Sequence, residues 1–208
     1  MSRIILASAS PRRKELLEQI GLEFEICPAK GDEVITKTVP EEVVMELSKQ
    51  KAEEVAYMVN HFNETHKEIT TPTDIMVIGA DTVVAYDGKI LGKPKDEEEA
   101  KSMLSMLSGN IHSVYTGVTL CLIDKSGKVG ELTFYEKTDV TMFLISEEEI
   151  NRYVSTGEPM DKAGSYAIQG KSAIFIEKID GDYNNVVGLP ITRIYQKLKE
   201  VGIDIYLW

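Results

Sequence analysis

The spacing of apolar residues changes period several times along this chain, and each change marks an element. Residues 4–7 (IILA) are a short apolar run of strand character, after which Leu16, Leu17 and Ile20 form a helical stripe. Ser10 is a good N-cap for that helix, Pro11 suits its first position, and Gly21 stops it. A second apolar piece, FEICPA, and the turn KGDE precede a longer helix predicted from about Pro40 to Tyr57, with a stripe of Val44, Leu47, Val55 and Met58. Residues 60–74 are polar and aperiodic, which predicts a surface loop. DIMVIGADTVVAY is a β-rich run, DG a hairpin turn, and a second strand then leads into a helix ending near Gly109. SVYTGVTLCLID and ELTFYEKTDVTMFLI alternate around a Lys-Ser-Gly turn and read as neighbouring antiparallel strands. SEEEINRYVSTG is a short helix; a glycine-bounded loop with Gln169, a strand, a turn and an amphipathic helix from Pro190 follow. Strands and helices mix without strict alternation, so the expected class is α/β, with a central mixed sheet and flanking helices in one domain over 1–208.

A few residues break this pattern. Asp81 interrupts the β run, where a buried carboxylate is costly unless a cation or metal answers it. It reads either as a ligand-facing acid, with Gly79 and Ala80 letting a ligand approach, or as a cap at a strand end or bulge. Lys51 shares the apolar face of its helix with Leu47 and Val55, so it snorkels or meets an anion. Arg12, Arg13 and Lys14 stand in the first turn of the first helix, where the dipole disfavours cations. The helix beginning at Asp96 does the opposite, placing acids through Glu99 in its first turn. That contrast points to an anion at SPRR, cradled by free N–H groups, serine hydroxyls and guanidinium forks.

Charge and composition narrow the ligand. A net charge of −11 leaves no footprint for a nucleic-acid backbone, so any anion is met by a local cluster. The run from Ile4 to Ala7 is too short for a signal peptide, and no segment approaches a membrane span. Two distant cysteines, Cys27 and Cys121, suggest neither disulfides nor a zinc site and fit a reducing cytoplasm. His61, His66 and His112 are scattered, without metal-ligand spacing.

LASASPRRKELL, the pair Asp32-Glu33, LSKQKA, GADTVV, LGKP, GEPMDKAGSYAIQG and VVGLPI occur in this order, and together they resemble the Maf family of nucleoside triphosphate pyrophosphatases. The resemblance spans nearly the whole chain. It implies a fold similar to the inosine triphosphate pyrophosphatases, with two lobes around a nucleotide cleft. It also implies hydrolysis of a nucleotide to monophosphate and pyrophosphate with a divalent metal, Mg²⁺ or Mn²⁺, and by analogy a homodimer. Asp81 matches the family's catalytic proton acceptor. Arg12, Thr82 and Gln169 match positions associated with the dTTP/UTP branch; a branch acting on 7-methyl-GTP usually has tryptophan at the position of Arg12.

On this reading, Arg13, Lys51, Lys93 and Lys162 neutralise the triphosphate, Ser8 and Ser10 supply hydroxyls, and Glu33 and Asp81 are the metal candidates. Asp81 is base, metal ligand, or both. Arg12 and Arg13 diverge by about 100° on the helix, which frees Arg12 for a pyrimidine carbonyl, while the Gln169 amide oxygen accepts from N3–H. The competing expectations are a septum-formation regulator that binds without catalysis and a purine pyrophosphatase with a different base pocket.

Overall fold

The computed structural model describes residues 2–65 and 73–208. Strands β1 (Arg3–Leu6), β2 (Glu25–Ile26), β3 (Ile75–Tyr86), β4 (Lys89–Leu91), β5 (Ile111–Ile123), β6 (Val129–Met142) and β7 (Ile176–Asp180) form a seven-stranded sheet in the order β2-β1-β3-β5-β6-β7, with β4 also on β3. β1 runs parallel to β2 and β3, and the other pairings are antiparallel. The expected mixed sheet is present, and β5 pairs with β6 along almost its full length.

Alternation along the central strands loads both faces. Ile4, Leu6, Met76 and Ile78 point toward helices α1 (Pro11–Gln19) and, near the C-terminus, α6 (Ile191–Glu200). Their neighbours Ile5, Ala7, Ile75 and Val77 pack on the opposite face against Ala52, Val55 and Ala56 of α2 (Pro40–Thr65). A third cluster, toward the far ends of β5 and β6, joins the sheet to α3 (Glu97–Leu107), α4 (Glu147–Val154) and the segment through Tyr166 and Phe175. A five-residue helix, α5 (Tyr183–Val187), precedes α6.

Local chemistry explains the element ends. Asp96 caps α3 through the Glu99 amide at 2.8 Å, and Ser146 with Glu149 forms a capping box on α4. Asp87 and Gly88 both take positive φ in the two-residue turn between β3 and β4, as the DG pair predicts.

Several expectations need correction. Helix α2 continues to Thr65, so residues 60–65 are helical rather than loop; residues 66–72, His66 among them, lie outside the described residues, and residues 73–74 lead into β3 without regular structure. Met58, placed on the buried stripe, is exposed. Asp81 sits in uninterrupted register with Gly117, so it neither ends a strand nor marks a bulge. Gly79 admits the α2 backbone: an added Cβ would lie 2.7 Å from the Ala52 nitrogen. Ala80 faces the α1 side of the sheet, so neither small residue serves ligand access as expected.

Candidate active site

A cleft of about 790 Å³ opens between the sheet end that carries α1 and α2 and the segment 161–169. Its charged wall begins with the helix packing just described. Gly79 and Gly117 bring the α2 backbone down onto β3 and β5, where any side chain at Gly117 would strike the Val44 carbonyl. This seats Lys51 over Asp81. The ammonium reaches Asp81 Oδ1 at 2.6 Å and Glu33 Oε1 at 2.8 Å; Lys51 and Asp81 are largely withdrawn from solvent, whereas Glu33 stands half-exposed. Lys51 thus meets carboxylates of the protein itself rather than snorkelling to solvent. Two carboxylates around one ammonium leave an excess negative charge in a partly dry place.

The first turn of α1 is resolved differently than its sequence suggests. Arg13 turns inward: Nε donates to the Gly188 carbonyl at 2.8 Å, and the two terminal nitrogens to Ser8 Oγ and Thr82 Oγ1, both at 3.1 Å. Burial pushes its guanidinium below the usual arginine range, with Asp81 opposing. Thr82 Oγ1 also lies 2.9 Å from Thr116 Oγ1, so Arg13 and Thr82 form one network across the cleft floor. Lys14 pairs with Glu18 at 3.4 Å. Arg12 spans the cleft loosely to Asp161 at 3.7 Å. The three cations thus all find partners within the protein.

Beyond Asp161, the facing segment 163–169 is neutral. Gly164 (φ +65°) packs on Val84, and its N–H donates to the Gly92 carbonyl at 3.0 Å, which turns Tyr166, Ile168 and Gln169 toward the cleft. Behind them His112 Nε2 lies 2.7 Å from the Tyr166 hydroxyl. Burial pushes the His112 imidazole down to about 4 despite a nearby Asp139, and raises the Tyr166 phenol.

The cleft therefore gathers Ser8, Ser10, Arg12, Arg13, Glu33, Lys51, Asp81, Thr82, Lys93 and Gln169, ten of the positions singled out from sequence. Lys162 does not line it. Its ammonium is bound by the Glu158 carbonyl at 2.7 Å and Asp161 Oδ1 at 2.6 Å, and this bond holds the Asp161 carboxyl below its usual value. The profile of Maf-like proteins matches residues 3–201. The chain belongs to the Maf-like family. A protein of Agathobacter rectalis named dTTP/UTP pyrophosphatase is 69% identical over 205 residues, covering 99% of this chain and 100% of that one. One of the same name from Lachnoclostridium phytofermentans is 50% identical, covering 99% and 98%. The Staphylococcus aureus Ham1 protein structure is a more distant likeness, with 12% identity and a TM-score of 0.48 over 97% of this chain and all of that one.

In this Maf-like cleft, the donor set fits a hard divalent cation. Asp81 and Glu33 offer carboxylate oxygens that already converge on one cationic atom, and Mg²⁺ typically takes one or two carboxylates with substrate phosphates. Among the described residues no third acidic, histidine or cysteine ligand joins them. Sequence reasoning missed Gly117, His112 and Tyr166. A glycine inside a long alternating strand was the available signal for the first; the other two meet only across 54 positions.

Proposed function

We propose that this chain hydrolyses dTTP and UTP to the monophosphate and pyrophosphate. The observation that carries the reading is the convergence of Asp81 and Glu33 on Lys51 inside the cleft of a chain 69% identical to a protein named dTTP/UTP pyrophosphatase. Asp81 takes the proton of the attacking water, and its bond to Lys51 fixes which oxygen is free to do so. Lys51 and Lys93 neutralise phosphate charge; Lys93 is exposed at the cleft and unpaired among the described residues. Arg13 shapes the floor, while Arg12 and Gln169 read the pyrimidine O and N3–H edge. Glu33 and Asp81 would hold Mg²⁺ or Mn²⁺, which supplies Lewis-acid polarisation of a phosphate oxygen.

Serine hydroxyls have a narrower part than phosphate binding alone. Ser8 Oγ accepts from Arg13 and from the Ser10 amide at 3.2 Å, so it shapes the loop that presents the N–H groups of α1. Lys162 acts through Asp161, the partner of Arg12, and sets where that guanidinium rests. A cytoplasmic role in clearing nucleotide pools and a homodimer belong to the same reading, the latter checked by sedimentation.

The test is a nucleotide panel with Mg²⁺ and Mn²⁺, reading monophosphate and pyrophosphate as products. UTP and dTTP turn over well ahead of CTP and purine triphosphates. Binding without turnover would instead support a regulator, and a preference for ITP or 7-methyl-GTP would reassign the base pocket.

A further inference from the structure

The neutral wall is held from behind at three points. Gly164 is tied to Gly92, as described. Ala167 exchanges two bonds with the Ser172 hydroxyl, its N–H donating at 3.0 Å and its carbonyl accepting at 2.7 Å. Between these anchors lies the His112–Tyr166 contact, with the two rings edge to face at 82° and their centroids 5.2 Å apart. His112 is 1% exposed and Tyr166 5%.

This contact is expensive as packing. His112 Nδ1 is buried without a hydrogen-bond partner, and the Tyr166 hydroxyl has no second one among the described residues. If the neutral imidazole carries its proton on Nδ1, that N–H is stranded; if on Nε2, the tyrosine O–H is. Either way a buried donor goes unmet, a penalty that two apolar rings of the same shape would avoid. A contact that costs stability while fixing a direction points to a role in orientation. Tyr166 lines the cleft together with Ala167, Ile168 and Gln169, which follow it, and the bond at its hydroxyl anchors the start of that stretch.

We propose that His112, which does not line the cleft, is a positioning residue for base recognition: by holding the Tyr166 hydroxyl it sets Ile168 and Gln169 against the pyrimidine. This rests on the reading above that Gln169 faces the base. Asp81, Glu33 and Lys51, the groups assigned to the chemical step, lie on the opposite wall, so the pair governs binding and selectivity rather than turnover.

The experiment compares wild type with Tyr166→Phe, His112→Phe and the double variant, measuring kcat and KM for UTP and CTP beside the melting temperature. Tyr166→Phe removes a single hydroxyl, so it decides the matter even if His112→Phe folds poorly. The expected result is a rise in KM for UTP of about fivefold, the scale of one hydrogen bond, with kcat nearly constant and the UTP-over-CTP preference reduced. The double variant should be no worse than either single variant, and at least as stable as Tyr166→Phe. An unchanged KM and unchanged UTP-over-CTP preference in Tyr166→Phe, with only a lower melting temperature, would overturn the proposal while leaving the pyrophosphatase reading intact. A wild type that prefers purine triphosphates overturns this proposal and the dTTP/UTP preference together, and release of pyrophosphate from those substrates tells that failure apart from the loss of the pyrophosphatase reading.

Discussion

The two walls of the cleft are built by opposite means. On one, Lys51, Asp81 and Arg13 stand on regular elements, Glu33 reaches in from the segment between β2 and α2, and helix α2 rests directly on Gly79 and Gly117. On the other, Tyr166 to Gln169 follow 3₁₀ turns and left-handed glycines, held by hydrogen bonds from neighbouring strands and loops. The difference teaches where precision is needed. Charged groups that attack and neutralise a phosphate gain most from rigid, pre-organised placement, whereas the base is read by Arg12 with a few neutral groups of the right depth. Arg12 and Asp161, 3.7 Å apart, link the walls by a pair too exposed to hold them firmly.

If the division is real, breaking each wall has a different signature. The largest effect comes from the charged one. Asp81→Asn should cut kcat at least about a hundredfold while nucleotide affinity largely survives, measured by steady-state kinetics and calorimetry. A fall in affinity to match would mean that Asp81 chiefly organises Lys51. Gly117→Ala tests the helix seat: the new methyl meets the Val44 backbone, and denaturant melts should show a loss of about 2 kcal/mol, with catalysis damaged in what remains folded.

The neutral wall carries a pH signature. Folded His112 stays neutral down to about 4, whereas the unfolded chain takes up the same proton near 6.5. Between those values the unfolded state holds the extra proton, so this stability is present above pH 6.5 and is lost progressively as pH falls. Urea melts from about pH 7 to about pH 5 should show wild type losing about 2 kcal/mol that His112→Phe does not lose. Equal slopes would place the imidazole in wetter surroundings.

The smallest effects are sought at the phosphate grip. Lys93→Ala should weaken UTP binding about tenfold and flatten its salt dependence without lowering the melting temperature. If it loses stability instead, Lys93 belongs to the scaffold.

What was legible in the sequence follows the same boundary. Asp81 in a β run, Lys51 on an apolar stripe and arginines at a helix start are each locally improbable, and a local improbability can be seen without coordinates. The elements were legible where periodicity was strong, as in β5 and β6, and misjudged where it was absent: residues 60–65 continue α2 with no apolar stripe to announce it. The inward turn of Arg13 was not visible, because its acceptors at Ser8, Thr82 and Gly188 come from three separate segments. His112 looked like a stray histidine for the same reason, and Lys162 looked free because the carbonyl that holds it belongs to a 3₁₀ turn.

The claim that this cleft directs water at the α-phosphorus of a pyrimidine triphosphate is tested most directly by turnover of UTP in ¹⁸O-water, with mass spectrometry of both products. The account predicts one label in UMP and none in pyrophosphate. Label in pyrophosphate, or release of labelled orthophosphate, would contradict it.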